Sequence, residues 1–115
     1  MPDALFKPPY YAVIFTSRHT GRDEAEYAET AALMDRLAAD MPGYLGIENA
    51  RDPKSGEGIT VSYWRDEASI LAWKKHADHA AARTLGREKW YSHYALRVAK
   101  VEREYDFHAS ADADT

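Results

Sequence analysis

Three of the chain's five histidines, His76, His79 and His93, and two of its three tryptophans, Trp73 and Trp90, fall within the stretch "WKKHADHAAARTLGREKWYSHY". On a helix the HxxH spacing of His76 and His79 places both rings on adjacent turns of one face, with Trp73 one turn before. Such a pair can begin a zinc or copper site, which needs three or four ligands. His93 is the nearby third histidine, Asp78 points elsewhere on a regular helix, and no carboxylate pattern completes the set. No metal is therefore expected, and the pair reads first as helix-end histidines favoured by the negative end of the dipole when protonated. A second constellation is Thr60, Ser62 and Trp64, which alternate onto one strand face and make a polar patch under an aromatic lid. Trp90, Tyr91 and Tyr94 suit either core and interface packing or the wall of a flat ligand's pocket. Arg83, Arg87 and Lys89 with Glu88 read as a solvated face held by weak local ion pairs.

The chain that must position these residues has 115 residues, about one domain, and its 19 acidic residues outnumber 15 basic ones. No Lys/Arg run exceeds two residues, so nothing resembles a grip for a phosphate backbone and no nucleic acid partner is expected. Cysteine is absent, which removes disulfides and thiolate chemistry. "MPDALFKPPY" lacks the basic region and apolar run of a secretory signal, and "YYAVIF" is far short of the roughly 18 residues that span a membrane. A soluble cytoplasmic protein, with no membrane partner, is the expectation.

"YYAVIFTSR" is β-branched and aromatic, with apolar residues on both alternating sets, and predicts a first strand covered on both faces. "DEAEYAETAALMDRLAADM" places Tyr27, Ala31, Met34, Ala38 and Met41 along one helical stripe widened by Leu37, with Asp23 as N-cap and Pro42-Gly43 as the stop. "YLGIENA" and "ITVSYW", separated by the turn-forming "RDPKSGEG", predict a hairpin. Asp66 should cap a helix starting "EASILAWKKH", followed by irregularity at "ADH" and a further helix from Ala80 to about Tyr91. A last strand is predicted from Tyr94 to Phe107. The order βαββαβ is that of an α+β, ferredoxin-like unit with an antiparallel sheet. Its helices cover one sheet face, and the apolar residues of the other face call for a second subunit, a homodimer. Residues 1–9 form an N-terminal extension, 10–107 the domain, and 108–115 a tail too polar to order.

"MPGYLGIE", the hairpin, and "SYWRDEASILAWKKHADH" together resemble the antibiotic biosynthesis monooxygenase family of the dimeric α+β barrel superfamily. The resemblance covers roughly residues 10 to 107. It implies a dimeric barrel and an activity like that of cofactor-free oxygenases, in which an electron-rich phenol is held so that its anion reduces oxygen directly, with no cofactor. Trp64 corresponds to the tryptophan beside the substrate in those enzymes. Thr60 and Ile70 stand where they carry asparagine and tyrosine, so those two roles do not transfer. His76 would take or relay the proton, Thr60 or Ser62 would hydrogen-bond the substrate oxygen, and Trp64, Trp73, His79 and Tyr63 or Tyr91 would shape the pocket for a small aromatic molecule. Heme-degrading relatives carry a first-strand asparagine and an axial histidine ten residues beyond a tryptophan; here Trp73 is followed at that spacing by Arg83, and the first strand has no asparagine. Heme binding or degradation is the less favoured reading and would need a shifted frame with His76 or His79 as the axial ligand. The alternative reading is a non-catalytic dimer that binds a small ligand or stabilises a partner.

Overall fold

The computed structural model describes residues 6–22, 24–84 and 90–109. Along the chain run β1 (Tyr10–His19), α1 (Glu24–Ala39), β2 (Tyr44–Arg51), β3 (Glu57–Trp64), α2 (Glu67–Thr84) and β4 (Tyr91–Val101). The strands form one sheet in the order β2-β3-β1-β4, and all three pairings are antiparallel. The fold is thus the expected α+β ferredoxin-like βαββαβ unit.

Register fixes which side chains share a face. Tyr11 stands opposite Trp64 and Lys100, Val13 opposite Ser62 and Val98, Phe15 opposite Thr60 and Leu96, and Ser17 opposite Gly58 and Tyr94. Trp64 stacks on Trp73 of α2, so these rows face the helices. Alternation sends Tyr10, Ala12, Ile14, Val61 and Tyr63 to the other face, away from α1 and α2.

The α1 stripe packs as its periodicity requires: Tyr27, Ala31, Met34, Leu37 and Ala38 are buried or partly so, while Ala28, Glu29, Ala32 and Arg36 are exposed. The Asp23 cap lies outside the described residues. The helix ends by tightening, with Asp40 N bonded to Leu37 O at 3.3 Å and Met41 N to Ala38 O at 3.0 Å. Gly43 then takes φ 83°, and its carbonyl accepts from Arg65 N at 2.8 Å. Asp66 Oδ1 caps α2 by accepting from Ser69 N at 2.8 Å. The two helix boundaries meet here, because a Cβ on Gly43 would lie 2.1 Å from Ser69 Oγ and 2.6 Å from its Cβ. Gly43→Ala combines positive-φ strain with that overlap and should destabilise the protein by about 2–4 kcal/mol, read as a lower urea midpoint.

Two sequence expectations are corrected. The segment Ala77–His79 does not interrupt α2, which runs unbroken to Thr84, because "ADHAAART" contains no Pro or Gly to break the ladder. Residues 85–89 lie outside the described residues. β4 starts at Tyr91 rather than Tyr94 and ends at Val101 rather than Phe107. It starts early because β1 continues to His19, which pairs with Tyr91 across a bulge, and Thr20 N bonds Trp90 O at 2.8 Å. It ends early because its partner ends: Tyr10 pairs with Val101, and before Tyr10 come Pro8 and Pro9, which have no N–H to extend a ladder. Of the tail, 108 and 109 are described, both exposed, and 110–115 lie outside the described residues. Among the described residues no helix is long and apolar enough to cross a membrane.

Candidate functional site

Trp64, the last residue of β3, has no exposed surface. Its Nε1 donates to Ser62 Oγ at 2.9 Å, its ring stacks on Trp73 at 6.0 Å and 24°, and Tyr44 meets it edge-on at 5.6 Å. The row continues outward, with the exposed His76 ring 6.0 Å from Trp73 and tilted by 37°. Spacing explains the row: Trp73 and His76 are three apart on α2 and share a face. Ser62 is committed as the acceptor for the indole and keeps its O–H to donate elsewhere. Thr60, two residues back, lies partly buried on the same side beside Phe15.

Other residues expected at the pocket are placed elsewhere. Tyr63 lies on the opposite sheet face, as strand alternation demands of Trp64's neighbour. There its hydroxyl donates to Glu48, and its ring meets Phe6 and Tyr10 at 5.6 and 5.9 Å. Burial first, then the Glu48 hydrogen bond, raise the Tyr63 pKa; burial and the bond to Glu104 push that of Tyr10 to about 12. These phenols act as hydrogen-bond donors on the face away from the helices. Tyr91 faces the helices but at the other end of the sheet: it pairs with His19, whereas Trp64 pairs with Tyr11, eight residues and about 26 Å away along β1. The side chain of His79 lies outside the described residues, as do those of Arg83, Arg87, Glu88 and Lys89. His93 cannot join His76, because it lines a recess of about 560 Å³ with Thr16, Arg18 and Glu57. No group of three or more His, Asp or Glu able to hold a metal ion occurs among the described residues.

The helix-facing side also carries an apolar surface that no sequence motif marks. α1 lies against β2 and α2 against β3. The β1–β4 half is less covered, and Leu96 and Val98 each remain 54% exposed although they face the helix side. With Val13 and Phe15 they floor an apolar trough. Trp64 and Trp73 stand at one end; at the other, Tyr91 and Tyr94 each lie 5.5 Å from Phe15. The signal was present in "YALRVAK", where Leu96 and Val98 alternate, but only the position of the helices shows that they stay uncovered.

Two helices on one face of a four-stranded antiparallel sheet, with aromatic side chains between the layers, make a small ferredoxin-like α+β domain. The family model described as antibiotic biosynthesis monooxygenase matches residues 10–85, and the chain belongs to that family. Over 107 residues it is 51% identical to YqjZ of Bacillus subtilis, an uncharacterized protein, covering 90% of this chain and 92% of that one. It is 33% identical over 94 residues to the jasmonate monooxygenase ABM of Pyricularia oryzae, covering 79% of this chain but 43% of the enzyme. Among solved structures, SnoaB, a cofactor-independent oxygenase from Streptomyces nogalater, superposes with TM-score 0.68 at 13% identity, covering 84% of this chain and 97% of that one. Rv0793 from Mycobacterium tuberculosis gives 0.69 at 13% identity, covering 84% and 99%. At these identities the structures speak for the fold.

Proposed function

We propose that the protein is a homodimeric oxygenase of this family that oxidises a small aromatic or phenolic compound without a cofactor. The observation that carries it is the Trp64–Trp73 stack standing beside an open apolar trough on the helix side, with His76 at its outer end. A flat substrate would lie on Val13 and Phe15 with its oxygen towards Thr60 or the Ser62 hydroxyl. His76 would hold the proton released as the substrate becomes an anion, and that anion would reduce oxygen directly. For an anthrone the balance is simple: one oxygen atom ends as the new carbonyl, and the other leaves as water with both hydrogens of the reacting carbon. One relative named as a monooxygenase, of which this chain covers 43%, supports the reaction class.

An oxygen electrode with anthrones, naphthols and catechols tests the reading. Uptake should exceed the buffer rate for at least one compound and fall at least tenfold in His76→Ala, with binding retained. Equal background rates for wild type and variant across the panel would leave the second reading, a ligand-binding dimer without catalysis. Thr60 and Ile70, standing where the cofactor-free oxygenases carry asparagine and tyrosine, favour that alternative.

The dimer rests on the uncovered face. Ile14, Val61 and Ile59 share it, Ile59 is 43% exposed, and Tyr105 and Phe107 project beyond β4 at 93% and 86% exposure. A second copy laid on this face would bury them together.

A further inference from the structure

At the end of the sheet remote from Trp64, polar groups gather without partners. Ser17 Oγ, His19 Nε2 and Trp90 Nε1 are all buried, and none has a hydrogen-bond partner. Ser17 and Trp90 are 7% and 6% exposed. Each buried unpaired group costs about 1–3 kcal/mol, so three in one place call for an explanation. Two of them, His19 and Trp90, pack against the same Tyr27 ring. Ser17 and His19 alternate onto the same side of β1. The His19 ring lies 4.1 Å from Tyr27 and 5.3 Å from Tyr91, and Tyr27 lies 5.7 Å from Trp90.

A cation completes the group. Arg51, Gly58 and Ser17 form one cross-strand row over β2, β3 and β1. Because Gly58 has no side chain, the Arg51 guanidinium lies across β3: a Cβ there would be 2.8 Å from Cζ and 2.9 Å from Nη1. Strands are about 4.8 Å apart, so the charge reaches the neighbourhood of Ser17. It is held by Gly56 O at 2.8 Å and by the Tyr27 hydroxyl at 3.3 Å, and among the described residues no carboxylate pairs with it.

We propose that Arg51, Ser17, His19 and Trp90 form a binding site for the carboxylate of a small planar aromatic acid. The indole N–H and the guanidinium can only donate, so the ligand must present acceptors, and a carboxylate offers two oxygens with about four lone-pair sites. The ligand's charge would pair with the Arg51 guanidinium, while Glu24 acts on the neighbouring His19. The rings of Tyr27, Tyr91 and Phe15 pack on one another beside these groups, so a flat ring attached to that carboxylate would take its place among them by shifting one of the rings. The site's polar groups stand roughly 20–26 Å along β1 from Tyr11, the partner of Trp64, and only Phe15 is shared with the trough floor, so benzoate binding can be read without any oxidation.

Titration of ¹⁵N-labelled protein with benzoate tests the site through the indole N–H resonances. The Trp90 resonance, identified by its loss in Trp90→Phe, should shift saturably, whereas that of Trp64, already bonded to Ser62, should stay in place. Arg51→Gln and Gly58→Ala should each weaken binding at least tenfold, the second by displacing the guanidinium without removing a polar group. Backbone spectra that match wild type show that the variants are folded, and Ser17→Ala, a smaller change, should weaken binding severalfold if either loses its fold. A Trp90 resonance that does not move, a shift unchanged in the variants, or tighter binding of inorganic phosphate than of benzoate would each overturn the proposal, the first leaving a water site only.

Discussion

Replacing Trp64 with alanine should lower the free energy of unfolding by about 3–5 kcal/mol, among the largest effects open to a single substitution here. The ring has no exposed surface, so the full cavity term applies. Tyr44 and Trp73 would each lose a packed partner, and the Ser62 hydroxyl would be left without the indole proton it accepts. Phenylalanine keeps most of the ring volume and should cost roughly 1–2 kcal/mol, chiefly the lost hydrogen bond and the smaller ring. Urea denaturation with both variants checks the pair. A loss of less than about 1 kcal/mol for alanine would mean that Trp64 is not a structural anchor, and that its end of the trough can open to a ligand.

Ile14→Asp should weaken the proposed dimer at least a thousandfold, about 4 kcal/mol at 25 °C. Ile14 lies on the central strand of the uncovered face, between Val61 and Arg97. In a two-fold dimer each copy buries one such carboxylate, so the desolvation penalty is incurred twice in a single interface. Light scattering after size exclusion should give about twice the chain mass of 13.0 kDa for wild type and the single mass for the variant. An unchanged circular dichroism spectrum separates dissociation from unfolding. A wild-type monomer at micromolar concentration would remove the dimer from the proposed function.

What the sequence could reveal follows from the range of each interaction. Hydrophobic periodicity is local, and it identified the α1 stripe, the hairpin and the Asp66 cap. Strand alternation is just as local and already separates Tyr63 from Trp64; grouping both at one pocket followed the family resemblance against that alternation. The limits of β4 depend on a strand some eighty residues earlier, because Pro8 and Pro9 decide where its ladder stops. No window around Tyr94–Phe107 carries that information. The Arg51 site was invisible for the same reason: Arg51, Gly58, Ser17 and Trp90 meet only through register, and Gly58 looks like an ordinary hairpin glycine until the guanidinium is seen lying across it.

The offset of the helices toward β2 and β3 divides the sheet into two kinds of ground. Beneath the helices, changes in side-chain volume are felt by the whole fold, as around Trp64. Leu96 and Val98 sit on an edge strand and are more than half exposed, so exchanging one apolar residue for another there costs the fold little, within about 0.5 kcal/mol. The shape of the trough floor can therefore drift while the scaffold stays fixed. Family members could diverge in what they accept by altering a few alternate positions of β4, and a search for substrate preference among them would do best to compare those positions first.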